Sequence, residues 1–110
     1  MLSDKALTPC PSYYVGKFMN AYGKDNYNAP YPEGWTDSSF LVDPWTYNYY
    51  NSRWTTQGAA ALTSEAGTHT TLVTERKALD FIDDAVDTGG QFFLMVSSTG
   101  HNACIRHLLI

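Results

Sequence analysis

The run Gln91-Phe92-Phe93-Leu94-Met95-Val96-Ser97 decides the fold class of this 110-residue chain. It is almost continuously apolar over the length of one strand, which is typical of a parallel sheet that is covered on both faces. An earlier apolar and aromatic segment, Tyr13–Met19, predicts another strand. The order strand, long connection, helix, strand is that of a βαβ unit with an insertion. The sequence therefore predicts an α/β fold.

The helix is predicted directly before the apolar run. Its large apolar residues recur at near-helical spacing and form one stripe. They are Leu72, Leu79, Ile82 and Val86. Thr70 or Thr71 is the predicted N-cap, and Gly89-Gly90 is the predicted end. The acidic residues are interpreted as a solvated face rather than a metal site. They are Asp80, Asp83, Asp84 and Asp87.

The middle of the chain is rich in aromatic and turn-forming residues. Residues 21–35 have the composition of a loop, and Phe40–Val42 is a short apolar piece. Trp45–Thr56 alternates aromatic and small polar side chains, which predicts one or two antiparallel strands with a turn at Asn51-Ser52. Gln57–Gly67 is rich in small residues and predicts a flexible connection.

Composition argues against two classes of partner. The net charge is −4 and the seven Lys and Arg residues are scattered, so the sequence predicts no nucleic-acid partner. No apolar run approaches the roughly 20 residues of a membrane span, and a membrane partner is not predicted. No hydrophobic region follows Met1–Lys5, so we expect no secretory signal peptide in this chain.

The two cysteines, Cys10 and Cys104, lie close to the two ends of the chain and are interpreted as unpaired thiols. The pattern His101-x-x-Cys104-x-x-His107 has ligand-like spacing but no evident fourth ligand. The sequence therefore predicts no metal site.

Lys17 and His101 are the residues placed to carry chemistry. Lys17 follows Gly16 near the end of the first strand, and His101 follows the last strand. If the two strands are parallel, both residues face the crevice at the carboxyl edge of the sheet, where ligands of open α/β sheets bind. A lysine there suits a sulfate or phosphate, and a histidine can protonate a leaving group. The alternative is that Lys17 is an edge-strand lysine that discourages aggregation.

Several motifs together resemble the sulfatase family, in its arylsulfatase and N-acetylglucosamine-6-sulfatase-like branch. The resemblance covers residues 13–102, whereas residues 1–12 and 103–110 do not match. The motifs are Tyr14-Val15-Gly16-Lys17-Phe18-Met19-Asn20-Ala21-Tyr22-Gly23, Pro32-Glu33-Gly34-Trp35, Tyr47-Asn48-Tyr49-Tyr50, Leu72–Ile82 and Phe92-Phe93-Leu94-Met95-Val96.

This resemblance implies a partial alkaline-phosphatase-like (sulfatase) fold, with an incomplete sheet, one clear helix and an aromatic β-rich insertion. It implies that Lys17 contacts the substrate sulfate and that His101 contacts the sulfate ester as a catalytic residue. Asn20 lies near the position of a second active-site polar group. The implied partner is a sulfate-ester small molecule or a sulfated glycan, and family members are commonly secreted or lysosomal.

The chain also departs from the family pattern. Sulfatases carry Cys-x-Pro-Ser-Arg, whose cysteine or serine becomes formylglycine, but Cys10-Pro11-Ser12-Tyr13 lacks the spacer and the arginine. The calcium ligands of the full-length family are also missing, so no calcium is expected in this chain. We therefore expect a fragment of a sulfuric ester hydrolase that is inactive alone. The alternatives are a small aromatic-rich carbohydrate-binding module and a phosphate-ester hydrolase fragment of the same superfamily.

Overall fold

The computed structural model describes residues 10–87, 89 and 91–99. Within these residues, the chain forms one helix and five strands. The elements are β1 (Ser12–Gly16), β2 (Asp37–Phe40), β3 (Asn51–Trp54), β4 (Thr63–Ala66), α1 (Thr70–Asp87) and β5 (Phe93–Ser97). The predicted α/β class is confirmed.

β1, β2 and β5 form a parallel sheet in the order β2-β1-β5. Tyr14 of β1 lies opposite Ser38 of β2 and Met95 of β5. The predicted parallel relation of the first and last strands is therefore confirmed. β1 is shorter than predicted, because it ends at Gly16 and Lys17 comes just after it. Since β1 is the central strand, the edge-strand interpretation of Lys17 is wrong.

One face of the sheet packs against α1. Tyr13, Val15 and Leu94 point from the strands into this core, where they meet Val73 and Ala85 of the helix. All five are almost fully buried. Their burial removes apolar surface from water, which is the main force that holds the helix on the sheet.

The predicted apolar stripe of the helix does not form this core. Leu72, Leu79 and Val86 are 57 %, 53 % and 62 % exposed, and only Ile82 of the stripe packs partly against the core. The helix instead turns a face of small residues toward the strands. The buried helix residues are Thr70, Val73, Thr74, Ala78 and Ala85. Small side chains allow the helix backbone to approach the sheet closely, and the larger leucines then remain outside. The aspartates of α1 are exposed as predicted.

The two ends of α1 differ from expectation in one respect. His69, rather than either threonine, occupies the N-cap position: its carbonyl accepts from Leu72 and Val73, and its Nδ1 accepts from the amide of Thr71 at 3.1 Å. Gly89 adopts a φ of 76° after the last turn, as predicted for a glycine that ends a helix. Gly90 lies outside the described residues. No helix in the described part of the chain has the length and apolar character of a membrane span.

Aromatic side chains from the predicted loop cover the other face of the sheet. Phe40 is the centre of this cluster, and the ring of Phe18 lies 4.4 Å from it between centroids. Tyr14, Tyr22 and Tyr31 also place their rings within 5.5 Å of Phe40. Residues 21–35 have the composition of a loop, but they also form a packed layer, because the aromatic side chains of this segment pack against Phe40.

β3 and β4 form an antiparallel hairpin, with Asn51 opposite Ala66. This corrects two expectations. Asn51-Ser52 lies within a strand rather than at a turn, and Gln57–Gly67 contains the partner strand rather than only a flexible connection. β4 is mostly exposed and polar, so its sequence lacks the alternation of apolar and polar residues by which a strand is recognised.

The hairpin also closes the outer edge of β2. The carbonyl of Phe40 accepts from the amide of Thr55 at 2.9 Å, and the amide of Phe40 donates to Thr55 Oγ1 at 2.9 Å. The amide of Val42 donates to the carbonyl of Arg53 at 3.2 Å. Gln57 Nε2 extends this closure by donating to the carbonyls before β2.

Cys10 lies just before β1, where it is exposed and bonds to no cysteine of the described residues. The interpretation of the two cysteines as unpaired thiols depends on Cys104 and stays a prediction. Cys104 lies outside the described residues, as do His101 and His107. The predictions made for these three residues therefore stay predictions.

Candidate functional site

The site is built where β1 ends beside β5. Gly16 has a φ of 119°, and a Cβ at this position would overlap the main-chain carbonyl of Ser97. A residue with a side chain would therefore meet both backbone strain and a steric clash. Only glycine allows β1 to turn here while staying paired with β5.

The backbone of Lys17 is held from several sides. Its amide donates to the carbonyl of Ser97 at 2.8 Å, and its own carbonyl accepts from the hydroxyl of Tyr14. The carbonyl of Gly16 accepts from the amide of Leu41 at 2.9 Å. Lys17 is thus fixed to the carboxyl ends of both neighbouring strands, at the edge where α/β folds bind ligands.

The side chain of Lys17 pairs with Asn20. Its Nζ donates to Asn20 Oδ1 at 2.9 Å across a turn in which the amide of Tyr22 donates to the carbonyl of Met19. Ala21 has a φ of 66°, which tightens this turn and brings Asn20 back toward the strand end. The structure therefore brings together two of the three predicted site residues.

The charge of Lys17 is not compensated in this arrangement. Its side-chain partner is a neutral amide, and no salt bridge to Lys17 forms among residues 10–87, 89 and 91–99. Lys24, further along the same loop, instead lies 3.3 Å from the carboxylate of Asp25. An uncompensated, half-buried ammonium on a fixed backbone can bind an anionic oxygen.

The third predicted residue, His101, lies outside the described residues, and its relation to Lys17 stays a prediction. The chain just before it reaches the same edge, because β5 ends at Ser97 and Tyr49 donates its hydroxyl to the carbonyl of Thr99 at 3.1 Å.

Sequence reasoning missed an aromatic group at this edge. The rings of Tyr49 and His69 stack with centroids 5.5 Å apart, and Tyr50 meets His69 edge-on at 5.1 Å. Tyr49 reaches the edge through its bond to Thr99. The aromatic richness of the segment is visible in the sequence, but the contact with His69 depends on where α1 begins.

A second group of ionisable side chains lies away from this edge, between β2 and α1. Burial lowers the pKa of Lys77 and raises the pKa of Asp37, and both line a small cleft of about 150 Å³ with Asp80 and Phe81. Lys77 also lies 5.1 Å over the ring of Trp54. Asp37 is the first residue of β2, whereas Lys17 follows the last residue of β1, so the two groups lie at opposite ends of the sheet. We therefore interpret the Asp37 and Lys77 group as part of the packing between α1 and β2.

Comparison with known proteins gives one informative similarity. Over 86 residues the chain is 38 % identical to an arylsulfatase of Volvox carteri, an alignment that covers 78 % of this chain and 13 % of the arylsulfatase. No protein-family profile matches the chain, and no solved structure matches it. The chain thus spans a small part of the length of the relative. The resemblance predicted from the sequence is confirmed at this level: the chain is related to one segment of a sulfatase-family protein.

Proposed function

We propose that this chain is a segment of a sulfuric ester hydrolase and that Lys17 contacts the sulfate group of the substrate. The observation that carries the proposal is the uncompensated ammonium of Lys17, held 2.9 Å from Asn20 at the carboxyl edge of the sheet. The similarity to an arylsulfatase supports a sulfate ester as the substrate class. The substrate proposed is a sulfate-ester small molecule or a sulfated glycan.

Each residue has a distinct role in this proposal. Lys17 would neutralise charge on the sulfate oxygens, which helps most where that charge grows during S–O bond cleavage. Asn20 would act as a positioning residue, because its Oδ1 holds the ammonium and leaves its amide NH₂ free to meet a second oxygen. His101 would donate a proton to the leaving oxygen or hydrogen-bond to it.

The chain does not supply the whole reaction. It lacks the Cys-x-Pro-Ser-Arg motif of the sulfatase nucleophile, so we expect no turnover by this chain alone. Its residues also do not fit a calcium site: within the described ranges, no group of three or more His, Cys, Asp or Glu side chains is placed to surround an ion. We propose that calcium, where a longer sulfatase uses it, is held by other parts of that protein.

The experiment is an anion-binding titration of the purified chain, followed by NMR or calorimetry, with inorganic sulfate and then with 4-nitrophenyl sulfate. Lys17→Ala should weaken binding about tenfold or more, since a charge-assisted hydrogen bond contributes roughly 1.5–3 kcal/mol. Asn20→Ala should weaken binding less, because the cation remains.

Lys24→Ala is the matched control, since Lys24 is a lysine of the same loop that already pairs with Asp25. It should change sulfate affinity by less than about twofold. Equal losses in the Lys17→Ala and Lys24→Ala variants would refute the proposed role of Lys17. Repeating the titration with inorganic phosphate tests the phosphate-ester alternative, which tighter phosphate binding would favour.

A second candidate function, saccharide binding, is favoured by the exposed tyrosines of the segment 47–50. Tyr47 and Tyr50 are 61 % and 63 % exposed, and Tyr49 joins this surface to the edge that holds Lys17. Tyrosine rings present flat apolar faces on which sugar rings can stack. Titration with neutral and sulfated oligosaccharides separates the two functions. Saturable binding of the neutral sugar that is lost in Tyr50→Ala and kept in Lys17→Ala would favour saccharide binding.

A further inference from the structure

Arg53 of β3 carries a positive charge that no carboxylate in the described part of the chain pairs with. The two salt bridges there join Lys24 to Asp25 and Arg76 to Glu65. The guanidinium of Arg53 makes no hydrogen bond to a described residue, and its Nε is buried without an acceptor. Buried polar groups are normally hydrogen-bonded, and an arginine always keeps its charge. Arg53 therefore has donors left for an acceptor that comes from outside these residues.

Trp45 holds the guanidinium in place. The Cζ atom of Arg53 lies 4.6 Å from the centroid of the indole ring, a distance at which the face of the ring attracts a cation. Trp45 is itself fixed, because it packs against the aromatic cluster around Phe40 and its amide donates to the carbonyl of Val42 at 3.0 Å. Arg53 remains partly exposed. A guanidinium that stacks through its face keeps N–H groups at its edge, where they can bind two oxygens of a carboxylate or sulfate.

Arg53 lies at the same edge of the sheet as Lys17. Phe40, the last residue of β2, is opposite Gly16, the last residue of β1. Val42 follows two residues later and donates its amide to the carbonyl of Arg53 at 3.2 Å. Arg53 is therefore just beyond the level at which β1 ends and Lys17 begins. Since neighbouring strands are about 4.8 Å apart and β2 lies between, the main chains at the two cations are separated by roughly 10 Å.

We propose that Arg53 binds a second acidic group of the substrate, a carboxylate or a second sulfate, while Lys17 binds the sulfate that is cleaved. This inference rests on the proposed function, since it takes the sulfate at Lys17 as given. With Lys17 held by Asn20 and Arg53 held on Trp45, the two cations address separate groups. Acidic groups on neighbouring sugars would reach both. The substrate class is therefore an acidic sulfated glycan rather than a small aryl sulfate.

The segment that joins Trp45 to Arg53 supplies a surface for the sugar rings. Tyr47 and Tyr50 are exposed there, and Tyr49 bonds through its hydroxyl to the chain just after β5. The flat apolar faces of tyrosines suit sugar rings, whereas the two cations select the spacing of the acidic groups. Because the net charge of the chain is −4, long-range attraction does not favour an anionic ligand, and recognition depends on these local contacts.

The test is isothermal titration calorimetry of the 110-residue chain with three disaccharides. The first is the chondroitin 6-sulfate disaccharide, which carries one sulfate ester and one carboxylate. The second is its carboxyl-reduced form, which carries the sulfate ester alone, and the third is that reduced form with a second sulfate. The wild type should bind the first, the third or both at least about fivefold more tightly than the second, and the ligand that gains identifies the acidic group. Equal binding of all three overturns the inference.

Arg53→Gln should abolish this gain and change the affinity for the second disaccharide by less than about twofold. Arg76→Gln is the matched control, since it removes the same charge from an arginine that already pairs with Glu65, and it should keep the gain. Lys17→Ala should weaken the binding of all three ligands. If Lys17→Ala has no effect, the proposed function itself fails. If Lys17→Ala weakens binding and the gain survives in Arg53→Gln, only the role of Arg53 is refuted.

NMR of the wild type keeps the inference testable if Arg53→Gln folds poorly. The Nε–H signal of Arg53 and the indole N–H signal of Trp45 should shift on titration with the disaccharide that binds more tightly. Both signals should stay in place with the carboxyl-reduced monosulfate. Equal shifts with the two ligands would refute direct binding by Arg53.

Discussion

The two edges of the parallel sheet contrast with one another. At β2, the hairpin closes the edge: Thr55 uses both its amide and its hydroxyl to satisfy Phe40, and Gln57 adds two further bonds. At β5, the main-chain groups of Leu94 and Val96 face away from β1, and among the described residues no strand pairs with them. The edge at β2 is therefore satisfied within the described part of the chain, whereas the outward main-chain groups of β5 have no strand partner there.

Lys17 is held by the strand that lies between these two edges. β1 lies between the closed edge and the open edge, and Lys17 follows it with backbone bonds to the end of β5. The candidate anion site therefore depends on the pairing of β1 with β5. A substitution that disturbs the pairing of β1 with β5 should therefore also displace Lys17.

The largest effect is expected from Gly16→Ala, which attacks the pairing of β1 with β5. The new methyl group would overlap the carbonyl of Ser97, and the residue would keep a φ of 119°. We expect a loss of about 3 kcal/mol in the free energy of unfolding, measured by urea denaturation at low protein concentration.

Gly58→Ala is the control for this change, because Gly58 also has a positive φ, 87°, but nothing lies near its missing Cβ. It should cost about 1 kcal/mol, from backbone strain alone. Similar losses in the two variants would contradict the importance of the close approach between β1 and β5.

A smaller loss is expected from Thr55→Val, which opens the closed edge. The hydroxyl of Thr55 accepts from the buried amide of Phe40 at 2.9 Å and also meets the hydroxyl of Tyr31 at 3.0 Å. An unsatisfied buried amide should lower the free energy of unfolding by about 1–2 kcal/mol. Thr56→Val, at the exposed neighbour, should change it by less than about 0.5 kcal/mol. If Thr55→Val left the free energy of unfolding unchanged, the edge would be closed by main-chain hydrogen bonds alone.

Leu79→Gln probes the exposed stripe of α1 and should hardly change stability. Leu79 is exposed, so the free energy of unfolding at low concentration should stay within about 0.5 kcal/mol. Val73→Ala, on the buried face of the same helix, should cost about 2 kcal/mol at any concentration. A comparable loss from Leu79→Gln would show that the stripe is part of the core.

The smallest effect is expected from Asp37→Asn at the start of β2. Burial raises the pKa of the Asp37 carboxyl above 3.8, with a further rise from Asp84, against the lowering influence of the Ser38 amide and of Lys77. The folded carboxyl therefore holds its proton more tightly than the unfolded one, and this contribution to stability is lost as the pH rises through the folded pKa.

The stability of the wild type relative to Asp37→Asn should consequently fall as the pH rises from about 3 to neutrality. Denaturation of both proteins across that range measures the difference. A relative stability that increases with pH would mean that the hydrogen bond from Ser38, rather than burial, governs Asp37.

Much of this fold was predictable because the relevant signals are local. The apolar run that became β5 and the helix before it are visible in short stretches, whereas the predicted first strand ran on to Met19 and its end at Gly16 was not predicted. β4 was missed because Thr63–Ala66 is exposed and polar, and such a strand is defined by its partner rather than by its own pattern. Of the candidate site, the pairing of Lys17 with Asn20 follows from adjacent residues, whereas the meeting of Tyr49 with Thr99 joins distant ones.

The sequence by itself determined the class of the fold and the relation to sulfatases, because the apolar run, the helix and each matching motif can be recognised in a short stretch of the chain. Only the tertiary structure decided which face of α1 is buried. Periodicity identifies an apolar stripe but not the surface it meets, and small residues such as Ala78 let the helix approach the sheet while Leu79 stays outside. The tertiary structure also decided which edge of the sheet is closed, because that depends on where the hairpin folds back.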